Sequence, residues 1–138
     1  MADINVEPRR AEETGVPDPF PYMHPVLKKN YGNWKWHDRL RPGVLHHVSH
    51  DNEEVWTVRA GTQRQMDVHT IRKLCDIADM RAEGHVRFTT RSNIEFMVSK
   101  EDMVAPLIEA LEAEGFPIGG TGNSVSMISH TQGWLHCD

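Results

Sequence analysis

The chain of 138 residues lacks the features of several protein classes. It has two cysteines, Cys75 and Cys137, too few for a disulfide scaffold, so a reducing, cytoplasmic setting is expected. No apolar run approaches the ~20 residues that cross a bilayer. The start, Met1-Ala-Asp-Ile-Asn-Val-Glu, has neither the basic nor the apolar region of a secretory signal. Excess positive charge is absent as well. Fifteen Lys and Arg stand against 20 Asp and Glu, and the net charge of −5 disfavours nucleic-acid binding through a broad basic surface. No phosphate-loop or dinucleotide glycine spacing occurs. With 25% charged and 38% apolar residues, the chain fits one globular domain.

Nine histidines are many for this length. Five of the eight prolines fall within the first 25 residues. Residues 1–42 therefore read as an extended arm, since proline denies them a long helix. Its aromatics (Phe20, Tyr22, Tyr31, Trp34 and Trp36) argue that the arm covers a surface, either of its own domain or of a partner. The chain stops at Asp138, just after Trp134-Leu135-His136-Cys137, so the expectation is the front part of a longer protein.

Regular patterning begins at Gly43. Val44–Ser49 and Val55–Ala60 read as a hairpin joined through Asp51-Asn52-Glu53-Glu54. Asp67 caps a predicted helix whose apolar face is Val68, Ile71, Leu74, Cys75 and Ala78. Val86–Thr90 and Ile94–Val98 read as a second hairpin. A three-residue loop, Arg91-Ser92-Asn93, puts Val86, Phe88 and Thr90 on the face of Ile94, Phe96 and Val98. That register sends Arg87, Thr89, Glu95 and Met97 to the other face and predicts a positive φ at Asn93. A last helix starts near Asp102, with Val104, Leu107, Ile108 and Leu111 inward, Pro106 in its first turn and Gly115 at its end. The order ββαββα implies an α+β, ferredoxin-like sandwich: a four-stranded antiparallel sheet with two helices on one face. The predicted divisions are the arm (1–42), a ferredoxin-like half-domain (43–118) and the start of a further domain (119–138).

Charge is uneven. Residues 59–91 hold seven basic and four acidic residues, a local +3, so the remainder carries −8. Arg87 and Arg91 fall on the sheet face away from the helices, and Arg64 lies just past a strand. Guanidinium groups suit bidentate recognition of carboxylates and oxyanions. A converging set would bind an anion, whereas a solvated polar face would carry only weak exposed ion pairs. Three glycines in Gly119-Gly120-Thr121-Gly122 would let backbone N–H groups approach a ligand, or simply form turns. His46 and His47 point to opposite faces of one strand and cannot share a metal ion without distortion. Cys75 reads as core. The residues alone leave Cys137, beside His136, as a buried thiol, a nucleophile or a cluster ligand.

Four stretches carry a resemblance: Arg59-Ala-Gly-Thr-Gln-Arg64, Arg87-Phe-Thr-Thr-Arg91-Ser-Asn93-Ile-Glu95, Gly119-Gly-Thr-Gly122 and His130-Thr-Gln-Gly-Trp-Leu-His136-Cys137. From about Met23 to the end, the chain resembles the beta subunits of dissimilatory sulfite reductases. The Arg-x-Thr-x-Arg strand is shared more widely by sirohaem-dependent sulfite and nitrite reductases. The resemblance implies an alpha–beta heterodimer doubled to α2β2, with a small sulfur-carrier protein as a further partner. It implies a sirohaem coupled to a 4Fe–4S cluster, and the six-electron interconversion of sulfite and sulfide. By the same resemblance, Cys137 matches the first cluster ligand and His136 lies beside the haem. Arg64 and Arg91 line the oxyanion pocket, Arg87 and Arg91 contact haem carboxylates, and Gly120, Thr121 and Gly122 approach the macrocycle. Nitrite-reductase relatives carry an Arg-Asn pair where Ser126-Met127 stands here. The further cluster cysteines lie beyond Asp138, so this stretch alone is expected to hold neither haem nor cluster. A stand-alone ferredoxin-like module that binds an anion without catalysis is the alternative.

Overall fold

The computed structural model describes residues 10–123 and residue 125. Among these residues, five strands form one antiparallel sheet: β1 (Trp34–Arg41), β2 (Val44–Ser49), β3 (Glu54–Ala60), β4 (Val86–Phe88) and β5 (Ile94–Val98), in the spatial order β1-β2-β3-β5-β4. Helix α3 (Val68–Arg81) connects β3 to β4, and β5 inserts between them antiparallel to both. This is the split β-α-β arrangement of ferredoxin-like folds. Helix α4 (Val104–Ala113) follows β5 after a single 3-10 turn and packs beside α3 on the same face.

The core lies between that face and the two helices. From the sheet come Val44, Trp56, Val58, Ala60, Ile94, Phe96 and Val98. They meet Leu74, Ile77 and Ala78 of α3 and Val104, Leu107, Ile108 and Leu111 of α4. Trp56 opposite Val98, Val58 opposite Phe96 and Ala60 opposite Ile94 set the alternation, because side chains two apart on a strand share a face. Asp67 caps α3 as its sequence suggests, accepting from the Thr70 amide at 2.7 Å. Gly115 ends α4 in the left-handed region, at φ 84°.

Several details differ from the sequence-based expectation. The sheet has a fifth strand, because Trp34–Arg41 pairs with β2 instead of continuing the arm. Before it, residues 25–33 dock on the same domain. His24 is buried at the N-cap of α2 (Pro25–Lys29). Its Nδ1 accepts from the Val26 amide and its Nε2 donates to Glu83. Asn30 is also buried and donates to Glu53 and to the Val26 carbonyl.

On α3, Val68, Ile71 and Cys75 are exposed and Ile77 takes the inward position, so Cys75 is not core. The β4–β5 loop is one residue earlier than expected. The Thr89 amide bonds the Asn93 carbonyl, leaving Thr90-Arg91-Ser92 as the loop. The left-handed residue is accordingly Ser92 (φ 56°) and not Asn93. Sliding both loop ends by one residue shifts the pairing by two positions, so each side chain keeps its predicted face. Val86 opposes Phe96, and Arg87 opposes Glu95.

Leu107, fully buried between helix and sheet, should be the sharpest probe of this core. Leu107→Ala is expected to lower the unfolding free energy by roughly 2–5 kcal/mol. Chemical denaturation checks this, and a loss under 1 kcal/mol would contradict the packing described.

Candidate functional site

The sheet face away from the helices carries the arginines. Strand alternation puts Arg59 on this face of β3, Glu95 on β5 and Arg87 on β4, and the register sets them in one cross-strand row. Arg59 Nε donates to Glu95 Oε2, and Arg87 Nη2 donates to Glu95 Oε1 at 2.6 Å. Glu95 is only 2% exposed. Each carboxylate oxygen thus faces its own guanidinium, so the buried charge is compensated on both sides. Two arginines that long side chains would otherwise leave mobile are held in place.

A short return of the chain completes the site. Ile118 bridges Ala60, the Gly61 amide donates to the Pro117 carbonyl, and the Gly119 amide donates to the Arg59 carbonyl. The glycine loop therefore runs along the end of β3. Gly43, at φ 80°, permits this approach: a Cβ there would lie 2.6 Å from the Gly119 amide nitrogen. The Gly43 amide donates to Thr121 Oγ1 at 2.9 Å, and Thr121 is buried.

The loop gathers guanidiniums. Arg59 Nη1 reaches the Gly120 carbonyl at 3.4 Å, and Arg91 Nη2 donates to the Gly122 carbonyl at 2.6 Å. Arg39, from β1, packs directly on Gly122. The Thr62 hydroxyl donates to the Ser92 carbonyl at 2.8 Å. This ties the connection carrying Arg64 to the turn carrying Arg91. Arg64 itself is exposed in that connection. Of the residues picked out from sequence, the structure brings together Arg91, Gly120, Thr121 and Gly122, with Arg87 joined through Glu95 and Arg59. His136, Cys137 and the Ser126-Met127 pair lie outside the described residues.

Sequence reasoning put Glu95 on this face but gave it no role, and it gave none to Arg59 or Arg39. Strand parity already set Glu95 with Arg87, and pairing β3 with β5 would have added Arg59 opposite it. Arg39 had no such signal, because β1 itself was not recognised.

Farther along the same face is a histidine pair. His37 and His47 oppose each other across β1 and β2, with their Nδ1 atoms 2.6 Å apart, and His47 Nε2 meets Thr57 Oγ1. His46 is on the other face, stacked on Trp56 at 4.4 Å, so the two neighbours do diverge. Among the described residues, no group of three or more His, Cys, Asp or Glu is placed to hold a metal ion. Burial first, then the charges of His37, His46, Arg87 and Arg59, push the pKa of His47 from 6.5 down to about 4.

Two outcomes follow from this geometry. Glu95→Gln should lower stability by about 3 kcal/mol, the low end for breaking a buried ion pair, because Arg87 reaches solvent. A variant as stable as the parent in urea would show the triad to be unimportant. For His47, the unfolded chain binds a proton near pH 6.5, whereas the folded chain does so only near pH 4. Its contribution is complete above pH 6.5 and is lost as pH falls toward 4. Between pH 7 and 4.5 the parent should lose about 2 kcal/mol more than His47→Gln, less than the full shift implies because the ring keeps some solvent. Equal losses for the two proteins would refute this assignment.

The chain is similar to known proteins. The family described as "Nitrite/Sulfite reductase ferredoxin-like half domain" matches residues 47–114. "Sulfite reductase, dissimilatory-type subunit beta" of Nitratidesulfovibrio vulgaris is 46% identical over 96% of the chain and 35% of its own length. The protein of that name from Archaeoglobus fulgidus is 46% identical over 83% of the chain and 33% of its own. The one from Megalodesulfovibrio gigas is 47% identical over 84% and 47%. The chain thus spans between a third and a half of the length of these relatives.

Proposed function

The chain belongs to the family of dissimilatory-type sulfite reductase beta subunits, and from that membership we propose that it supplies part of a sirohaem site that interconverts sulfite and sulfide. The observation that carries this reading is the convergence of arginines on the backbone of the Gly119–Asn123 loop. A polycarboxylate macrocycle and a sulfur oxyanion both call for fixed cations, because anionic groups brought together without them repel strongly.

The residues fit such a group. Arg59 and Arg87 are fixed by one buried carboxylate. Arg91 is fixed on the Gly122 carbonyl, and Gly122 is bare enough for a guanidinium to lie against it. A planar acidic ligand would find donors already oriented, with little reorganisation on binding. In this proposal, Arg87 and Arg91 hold haem carboxylates and Gly120, Thr121 and Gly122 line the macrocycle. Arg64 and Arg91 stabilise charge on the oxyanion as its S–O bonds break, and His136 contributes beside them. Cys137 is proposed as a ligand of a 4Fe–4S cluster. Bound together, haem and cluster would supply the electrons, while the chain's own groups bind, orient and neutralise.

The partners proposed are an alpha subunit, in an α2β2 assembly, and a small sulfur-carrier protein. A cytoplasmic location is proposed with them. Among the described residues, no helix is long and apolar enough to cross a membrane. The stand-alone anion-binding module shares the arginines with this reading and has no separate observation in its favour.

The test is the subunit purified together with its alpha partner. Sirohaem absorbance and donor-dependent release of sulfide from sulfite are expected. Arg91→Ala should cut turnover by about 10²-fold, the usual effect of removing one fixed donor to developing charge. A haem-loaded complex without sulfite turnover, or an Arg91→Ala complex with full turnover, would overturn the proposal.

A further inference from the structure

The four arginines near the glycine loop are not equivalent. Arg59 and Arg87 share Glu95, so one buried carboxylate offsets part of their two positive charges. Arg91 spends a donor on the Gly122 carbonyl. Arg39 is different. Strand β1 places it on the same sheet face, opposite Leu45 of β2. Its side chain crosses to the loop and lies so close to Gly122 that a Cβ there would sit 1.7 Å from Arg39 Nη1. Among the described residues, its guanidinium makes no hydrogen bond or ion pair. It is exposed.

We propose that Arg39 is a direct contact for the anionic oxygens bound at this site, and that Gly122 is required because it leaves room for the Arg39 guanidinium. This rests on the preceding reading, that this end of the sheet meets an anionic tetrapyrrole and its oxyanion substrate. The physical argument is one of unused capacity. A guanidinium offers five N–H donors in a planar fork. Arg59 and Arg87 turn part of theirs toward Glu95, so they shape the site more than they fill it. Arg39 has no such carboxylate partner among the described residues, and its guanidinium lies against the Gly122 backbone. Gly122 is itself left-handed, at φ 64°, a conformation that disfavours any side chain at that position. The carboxylate of a macrocycle and a sulfur oxyanion present the same acceptor chemistry, and the two sources separate by experiment.

The experiment uses the assembled alpha–beta complex carrying this sequence, with Arg39→Gln, Arg39→Lys, Gly122→Ala and Arg91→Gln. Sirohaem retained per complex is read by absorbance during dialysis against rising salt, with the thermal midpoint and the KM for sulfite measured alongside. If Arg39 holds a haem carboxylate, Arg39→Gln should release haem about tenfold faster at an unchanged thermal midpoint. Arg39→Lys should fall between Gln and the parent, and Gly122→Ala should resemble Gln although it removes no charge. If Arg39 instead holds the oxyanion, haem retention should be unchanged while the KM for sulfite rises about tenfold. Unchanged retention and KM in Arg39→Gln, with haem lost from Arg91→Gln, would overturn the role of Arg39 and leave the site intact. Unchanged behaviour in both variants would overturn the site reading and this inference together. Haem loss in Arg39→Gln matched by a falling thermal midpoint would make Arg39 a structural residue and equally end the proposal.

Discussion

Glu95 is a carboxylate almost without solvent, on the central part of a sheet whose other face is the hydrophobic core. Taking it out of water costs several kcal/mol unless it is paired well. Arg59 and Arg87 provide that pairing from the two strands that flank β5. The requirement acts in both directions. The guanidiniums make the buried acid tolerable, and the acid fixes two flexible cations at the end of the sheet. The register of three strands is involved as well, because a one-residue slip of β4 or β3 would carry its arginine to the core face. The glycine loop then rests on a platform that is already set, through the Arg59 carbonyl and the Arg59 guanidinium.

The core elements were legible because their signal is local and periodic. Val104, Leu107, Ile108 and Leu111 recur at helical spacing, and all four are buried. The same logic failed in part on α3. Val68, Ile71 and Cys75 also fit a helical stripe, yet the sheet accepts the neighbouring stripe through Leu74, Ile77 and Ala78. With Arg, Lys and Asp scattered between, the helix offers two modest apolar stripes, and only tertiary contact chooses between them. The β4–β5 hairpin shows a related limit. Parity of faces followed from burial and survived, while the loop position depended on a choice between Ser92 and Asn93 for the left-handed residue. Asn is the better αL former, but here it is buried and its carbonyl closes the ladder with Thr89. Ser92 takes the strained backbone instead.

β1 was invisible for a different reason. Seven of its eight residues are exposed, so its sequence, Trp-Lys-Trp-His-Asp-Arg-Leu-Arg, shows no buried alternation. It is an edge strand, defined by main-chain pairing with β2 and by histidine and tryptophan contacts across the pair. Mixed polar composition is what keeps such an edge from recruiting other strands. An argument from prolines and aromatics correctly denied the region a long helix. It could not detect a strand stabilised by a neighbour instead of by burial.

That blind spot fell on the site itself. The arginines of β3, β4 and the turn could be read from a local excess of charge, because they cluster within some thirty residues of sequence. Arg39 comes from the far edge of the sheet and reaches Gly122 only after β1 has paired and the chain has returned past α4. Charge counting also treats every arginine alike, whereas the folded chain sorts them by what each faces. Two lie against a buried acid, one against a backbone carbonyl, and one against a glycine that offers space and no counter-charge. At an effective dielectric near 20, a carboxylate ~4 Å from a guanidinium contributes about 4 kcal/mol of attraction. A cation already so paired gives less to an incoming anion than one that is not. Part of the attraction available to an anion therefore comes from where sequence reasoning had placed no residue, on the side of the loop that β1 supplies.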